Sequence, residues 1–235
     1  MPVELLNEGA YRTYLEPVEI PGQESIHIAR VEFGDGEVKR AYVKFYSGQG
    51  RGLVNEVTGH LLAESLGMRV PRKVAILFVP KKDVLSPPSW MKANTEDTYP
   101  AWCCEDMASP SIKFFVGLGN AGSSTSDGYA HIREELVKSK QTPAILAFDD
   151  WVANIDRNVG NILRLGMGDY ALIDHGQISG GRHWSCPTLQ DVNRKFPNIL
   201  KQLLNEKAET LPFQSQVVIC WQKHAQALQR IQNEL

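Results

Sequence analysis

Three side chains in the stretch 148–176, FDDWVANIDRNVGNILRLGMGDYALIDHG, have the types and spacing for phosphoryl transfer. Asn161 stands five residues after Asp156, and Asp174 thirteen after Asn161. In that chemistry one carboxylate accepts the proton of the attacking hydroxyl. A side-chain amide and a second carboxylate hold the metal ions that bridge the phosphates. Oxygen donors of this kind suit magnesium, which prefers hard ligands and keeps several of its waters. Asn, Asp, Arg and Gly are also ordinary turn residues, so D-x-x-x-x-N alone marks only a loop. Its surroundings raise it above that. A helical pattern precedes it, a hairpin follows, and the apolar strand pattern Tyr170–Ile173 ends on Asp174.

Elements must hold these groups, and the pattern supplies them in order. Residues 16–45 read as strands, with the turn Pro21–Ser25 and the hairpin turn Gly34-Asp35-Gly36. Val43 and Phe45 share one face of the second strand, so Lys44 points to the other. Residues 53–66 show an apolar stripe at helical spacing, stopped by Gly67 and Pro71. Glu56 lies in the second turn of that helix and is available to Lys44. A strand lysine followed by a helix glutamate is the order in which kinases build the ion pair that extends the lysine toward nucleotide phosphates.

Val74–Val79 reads as a buried strand, 80–99 as a proline-rich surface insertion, and 101–107 as a strand leading into a connector. Connector backbone near Glu105–Met107 is the expected contact for an adenine. Gly117–Gly128 reads as a mobile loop open to phosphorylation, with Ser123, Ser124, Thr125 and Ser126 in it. Residues 129–139 are weakly helical. Thr142-Pro143 opens a firmer helix with threonine at the cap. Its broad apolar face delivers Asn154, Asp156 and Arg157 into the loop. Beyond 188 the pattern is helical. Thr188-x-x-Asp191 resembles a capping box, and Val217, Trp221, Leu228, Ile231 and Leu235 form an amphipathic stripe read as core.

In that order the strand lysine (AYVKF), the helix and its exit (LVNEVTGHLLAESLGMRVP), the loop (NIDRNVGN) and the metal strand (ALIDHG) resemble the HipA-like kinases. These are a bacterial branch of the protein-kinase-like fold. The D-R-x-x-x-N core is similar to that of phosphoinositide kinases, and the likeness spans roughly residues 20–180. The resemblance implies that Lys44 contacts the α- and β-phosphates of ATP and Glu56 anchors it. Asp156 is then the base, and Asn161 and Asp174 bind Mg2+. Pro21–Ser25, with Gln23, Ser25 and backbone amides, becomes the short loop over the phosphates. Asn158 stands where this branch usually has histidine.

The expected fold is therefore α+β and two-lobed, protein-kinase-like. A sheet-rich nucleotide-binding lobe would occupy residues 1–107 and a mostly helical catalytic lobe 108–235. The chain has 235 residues, 43% hydrophobic and 22% charged, ordinary proportions for a globular protein. A net charge of −2 leaves no basic footprint, which argues against general nucleic-acid binding. No run is long enough to span a bilayer, and MPVELLNEGAYRTYLEP lacks the pattern of a secretion signal. Cys103, Cys104, Cys186 and Cys220 have no zinc-site spacing and read as reduced thiols of a cytoplasmic protein.

The expected activity is transfer of ATP's γ-phosphoryl group to a Ser or Thr hydroxyl of a protein. The resemblance adds a toxin-like or regulatory role with an antitoxin or other regulatory protein as partner. Two other classes fit the same residues: a small-molecule or lipid kinase, and a non-catalytic pseudokinase that binds partners.

Overall fold

The structure, a computed structural model, describes residues 3–18, 26–48, 50–118, 125–191 and 193–234. The expected phosphate loop Pro21–Ser25, with Gln23 and Ser25, lies outside them, as do Ser123 and Ser124. The chain forms two compact units, one of residues Met1–Val57 and Pro71–Met107, the other of Thr58–Val70 and Ala108–Leu235. Thr58–Val70 thus belong with the second unit although they lie within 1–107.

The first unit is built on a six-stranded sheet: β1 (Glu4–Leu6), β2 (Tyr11–Val18), β3 (Ile26–Glu32), β4 (Val38–Phe45), β5 (Val74–Pro80) and β6 (Thr98–Glu105). Their order across the sheet is β1-β5-β6-β4-β3-β2, and only the β1–β5 pair is parallel. The hairpin between β3 and β4 turns where Gly36 takes a φ of 82°, a conformation that glycine adopts without strain. Alternation puts Ala29, Val31, Ala41, Val43, Phe45, Ala75, Leu77, Val79, Ala101 and Cys103 in one buried cluster. β4 is paired on both sides, with Ile26 opposite Lys44 across one edge and Trp102 opposite it across the other. Lys44 therefore leaves the sheet from a backbone that cannot slide without breaking two ladders.

Helix α1 (Gly52–Ser65) runs through the division between the units, contributing Gly52–Val57 to the first and Thr58–Ser65 to the second. The region 80–99, read as a loop, contains a short 3-10 turn, the helix α2 (Ser89–Ala93) and the start of β6. Met91 from α2 is fully buried and packs into the sheet's cluster.

The second unit is mostly helical: α3 (Ile112–Leu118), α4 (Thr125–Lys138), α5 (Thr142–Trp151), α6 (Cys186–Gln190), α7 (Ile199–Leu204), α8 (Leu211–Trp221) and α9 (His224–Glu234). A hairpin of β7 (Ile162–Gly166) and β8 (Asp169–Leu172) lies among them, closed by Gly168 at a φ of 72°. Its core centres on α5, where Ile145, Leu146 and Phe148 are at most 3% exposed. This is the α+β organisation expected from the sequence, with a sheet-rich unit and a mostly helical one.

Several local readings change. Gly117–Leu118 end α3 and Thr125–Gly128 begin α4, so the expected loop 117–128 is helical at both ends. Thr142 does not cap α5. Gln141 precedes it in a helical conformation, and the Thr142 hydroxyl donates to the Leu136 carbonyl at 2.6 Å, tying α5 to the end of α4. The capping box lies at Ser185 and Thr188 instead of Thr188 and Asp191, because α6 starts three residues earlier than the pattern suggests. The C-terminal stripe breaks between α8 and α9. Trp221 is 52% and Leu228 44% exposed, while Phe213, His224 and Ala227 are the buried residues. Ile231 and Leu235 lie where side chains are not described.

Candidate active site

In the first unit the site begins with a buried ion pair. The ammonium of Lys44 on β4 lies 3.3 Å from Oε1 of Glu56 on α1, and the Glu56 side chain is 1% exposed. A carboxylate so far from water needs donors on its oxygens. The Tyr46 hydroxyl supplies a second one, donating to the same Oε1 at 2.5 Å. The Lys44 ammonium also lies 5.0 Å from the centre of the Tyr46 ring. That ring rests against the first turn of α1, and a Cβ at Gly52 would occupy its place. The glycine that opens α1 is therefore a packing requirement of the pair.

In the second unit the loop after α5 is organised by a guanidinium. Arg157 and Asp149 are both fully buried, with Nε 3.2 Å from each carboxylate oxygen. Nη1 donates to the carbonyls of Asn161 (3.2 Å) and Ile173 (2.7 Å), and Nη2 shares a 3.3 Å bond with His175 Nδ1. One side chain thus joins α5, the end of the loop at Asn161, the residue after β8 and the residue after Asp174. Only a planar fork with five donors can do this. Burial pushes the Asp149 carboxyl up, against the downward pull of Arg157 and Asn154.

The loop itself is closed by side-chain amides. Asn154 donates to Asp149 Oδ1 at 2.9 Å and accepts from the Asp156 N–H at 3.1 Å. Asn161 Nδ2 donates to the Asp156 carbonyl at 2.7 Å. Asn158 Nδ2 lies 3.0 Å from Asp156 Oδ1. The chain returns from Asp174 onto the loop through Ile155 N–H to Gln177 O (3.2 Å), Ser179 N–H to Val152 O (2.7 Å) and Gly180 N–H to Ala153 O (2.9 Å). Ala153 and Asp174 both take left-handed backbone conformations, with φ of 51° and 57°. Such strain persists only where neighbours over-determine it, and it concentrates at functional sites.

The expected metal donors suit magnesium. Asn161's amide nitrogen is committed to a carbonyl, which leaves its oxygen, a hard donor, as the atom that can ligate. Asp174 would add a carboxylate from a backbone in the left-handed conformation. Among the described residues no three His, Cys, Asp or Glu side chains converge. Magnesium bound with phosphates needs no such cage, since one or two carboxylates with water and phosphate oxygens complete its shell.

Glu105, expected in an adenine-binding connector, ends β6, and its carboxylate accepts the N–H groups of Arg72 (2.8 Å) and Lys73 (3.1 Å). It shapes the entry to β5. Met107 is the last residue of the first unit. The structure brings Lys44 and Glu56 together in one unit, and Asp156 and Asn161 in one loop of the other with Asp174 joined to it through Ile173.

Three residues of this framework were not singled out by the sequence reading: Asp149, His175 and Gly59. His175 is 2% exposed and packs against α1, where a Cβ on Gly59 would overlap it. The signal was present in part. Asp149 and Arg157 flank the loop, and a charged residue inside an apolar helical face asks for a partner.

No family model and no curated protein matches the chain. Among solved structures the chain is similar to a Helicobacter pylori proinflammatory kinase, CtkA. Identity is 15%, coverage 86% of this chain and 69% of that one, and the TM-score 0.47.

Proposed function

We propose that the protein is an ATP- and magnesium-dependent kinase that phosphorylates a Ser or Thr hydroxyl of a protein. The observation that carries this reading is the loop Asn154–Asn161. Its backbone is fixed by a buried arginine, and its Asn161 amide nitrogen is committed to the Asp156 carbonyl, which leaves the amide oxygen as the donor for a metal. A loop needed only to connect a helix to a hairpin has no use for a fully buried guanidinium bonded to four segments.

In the reaction the acceptor hydroxyl oxygen attacks the γ-phosphorus while the bond to the β,γ-bridging oxygen breaks and ADP leaves. The hydroxyl proton passes to Asp156. Lys44, held by Glu56, binds α- and β-phosphate oxygens. Asn161 and Asp174 would hold magnesium, which would supply charge neutralisation on the phosphates. Most of the rate enhancement comes from positioning and electrostatics.

The likeness to HipA-like kinases extends the proposal to a toxin-like or regulatory role in the cytoplasm, with an antitoxin or regulatory protein as partner. Among the described residues no helix is long and apolar enough to cross a membrane. The acceptor class is tested by incubating the protein with magnesium, ATP and a bacterial lysate, followed by phosphopeptide mapping. Phosphoserine or phosphothreonine in discrete proteins is the expected result. Label found only in lipid or in small molecules would contradict it.

A further inference from the structure

We infer that Asn158 is a positioning residue that aims the Asp156 carboxylate. The inference rests on the kinase reading above and goes beyond it to how the base is held. The Asn158 side chain spans two partners. Its Oδ1 accepts the Gly160 N–H at 2.8 Å, and its Nδ2 donates to Asp156 Oδ1 at 3.0 Å and to the Asp156 carbonyl at 3.3 Å. Chemistry settles which end is which. Gly160 N–H can only donate, so the atom facing it is the amide oxygen, and the NH2 group must face the carboxylate.

Close approach at Gly160 completes the arrangement. A Cβ on Gly160 would come 2.9 Å from Asn158 Oδ1, closer than real side chains come. The glycine therefore lets the amide lie flat across the turn. Asn158's own N–H also donates to the Asp156 carbonyl at 2.8 Å, so its backbone and side chain grip the same residue.

The consequence is a division of labour between the two oxygens of the base. Oδ1 is occupied by the Asn158 amide, which is the side-chain donor that the described structure provides to this carboxylate. Oδ2 is then the oxygen that receives the hydroxyl proton. A carboxylate with neither oxygen tied samples its side-chain rotation freely, and a small misplacement of a reacting group costs rate steeply.

Asn158→Asp separates this role from a merely structural one. Aspartate keeps an oxygen for the Gly160 N–H, so the turn survives, but it has no donor for Asp156. Asn158→His restores a donor. The account predicts that Asn158→Asp keeps the melting temperature and the KM for ATP while kcat falls about 10- to 100-fold. Asn158→His recovers most of that loss. Wild-type kcat in Asn158→Asp overturns the inference. So does a kcat loss that tracks a parallel loss of melting temperature and ATP affinity across Asn158→Asp and Asn158→Ala.

A crystal structure of Asn158→Asp beside the wild type gives a readout independent of activity. Rotation of the Asp156 carboxylate away from residue 158 supports the inference, even if neither protein transfers phosphate and the kinase reading itself fails. An unmoved carboxylate overturns it, whatever the activity.

Discussion

Arg157 shows how much one side chain can be asked to do. Its guanidinium neutralises the fully buried Asp149 and donates to two backbone carbonyls, those of Asn161 and Ile173. A buried ion pair is weak evidence for stability, because desolvation offsets most of its attraction. Removing one partner is costly, since the other is left buried and unpaired. Arg157→Ala is expected to destabilise the protein by about 3–5 kcal/mol in urea unfolding. Arg157→Lys should recover little of this, because an ammonium cannot reach Asp149, Asn161 and Ile173 at once. A loss under about 1 kcal/mol in either variant would show that the pair does not organise the loop.

His27 carries a second prediction at this scale. It is 3% exposed, stacked between Tyr14 and Phe45, and shares a 3.0 Å bond with the Tyr11 hydroxyl. Burial pulls its pKa down to about 4 from the ordinary 6.5. The folded protein then binds the proton less readily than the unfolded chain. Its stabilising effect is complete above about pH 6.5 and is lost as pH falls toward 4. The loss amounts to at most about 3 kcal/mol. Urea midpoints measured from pH 7.5 to 4.5 should fall less steeply in His27→Phe than in the wild type. Parallel curves would mean that His27 does not set the acid limb.

Helix α1 is the element on which both units draw. Propensity alone would favour alanine at Gly59, by about 1 kcal/mol in a helix interior. The structure predicts the opposite sign. The new Cβ would overlap His175, which is held in place by Arg157 and by Phe148 at its edge. Gly59→Ala should therefore lower the melting temperature, and an unchanged or raised value would refute the packing argument.

At this scale the sequence was most readable where periodicity was clean. Alternation in β3 and β4 and the stripe of α1 located those elements within a residue or two. The start of α4 was hidden because Thr125–Gly128 are poor helix formers in isolation. The amphipathic reading of α8 and α9 failed at Trp221 and Leu228 because apolar residues at helical spacing need not all find a core. The candidate residues Lys44, Glu56, Asp156, Asn161 and Asp174 were proposed from type and order, and the pairing of Lys44 with Glu56 was legible in the same way. Gly59 and His175 were not, because a close approach between distant segments leaves no local pattern.

The whole molecule distributes the proposed chemistry over two compact units, each with its own hydrophobic cluster. A linear reading placed one cut at residue 107. The spatial division returns to the chain at residue 58 because Ala63 and Val70 pack into the helical unit's core. Contact between segments so far apart in sequence could not be read from spacing.

The central claim is that this arrangement transfers phosphate. It is tested most directly by incubating the purified protein with magnesium and γ-labelled ATP, beside Asp156→Ala and Asp174→Ala. The account predicts label on the protein itself or on added lysate proteins. It also predicts a loss of about 100-fold or more in each variant, and loss of the signal when EDTA removes the magnesium. Transfer that persists undiminished in both folded variants, or no transfer and no nucleotide binding by the wild type, would contradict it.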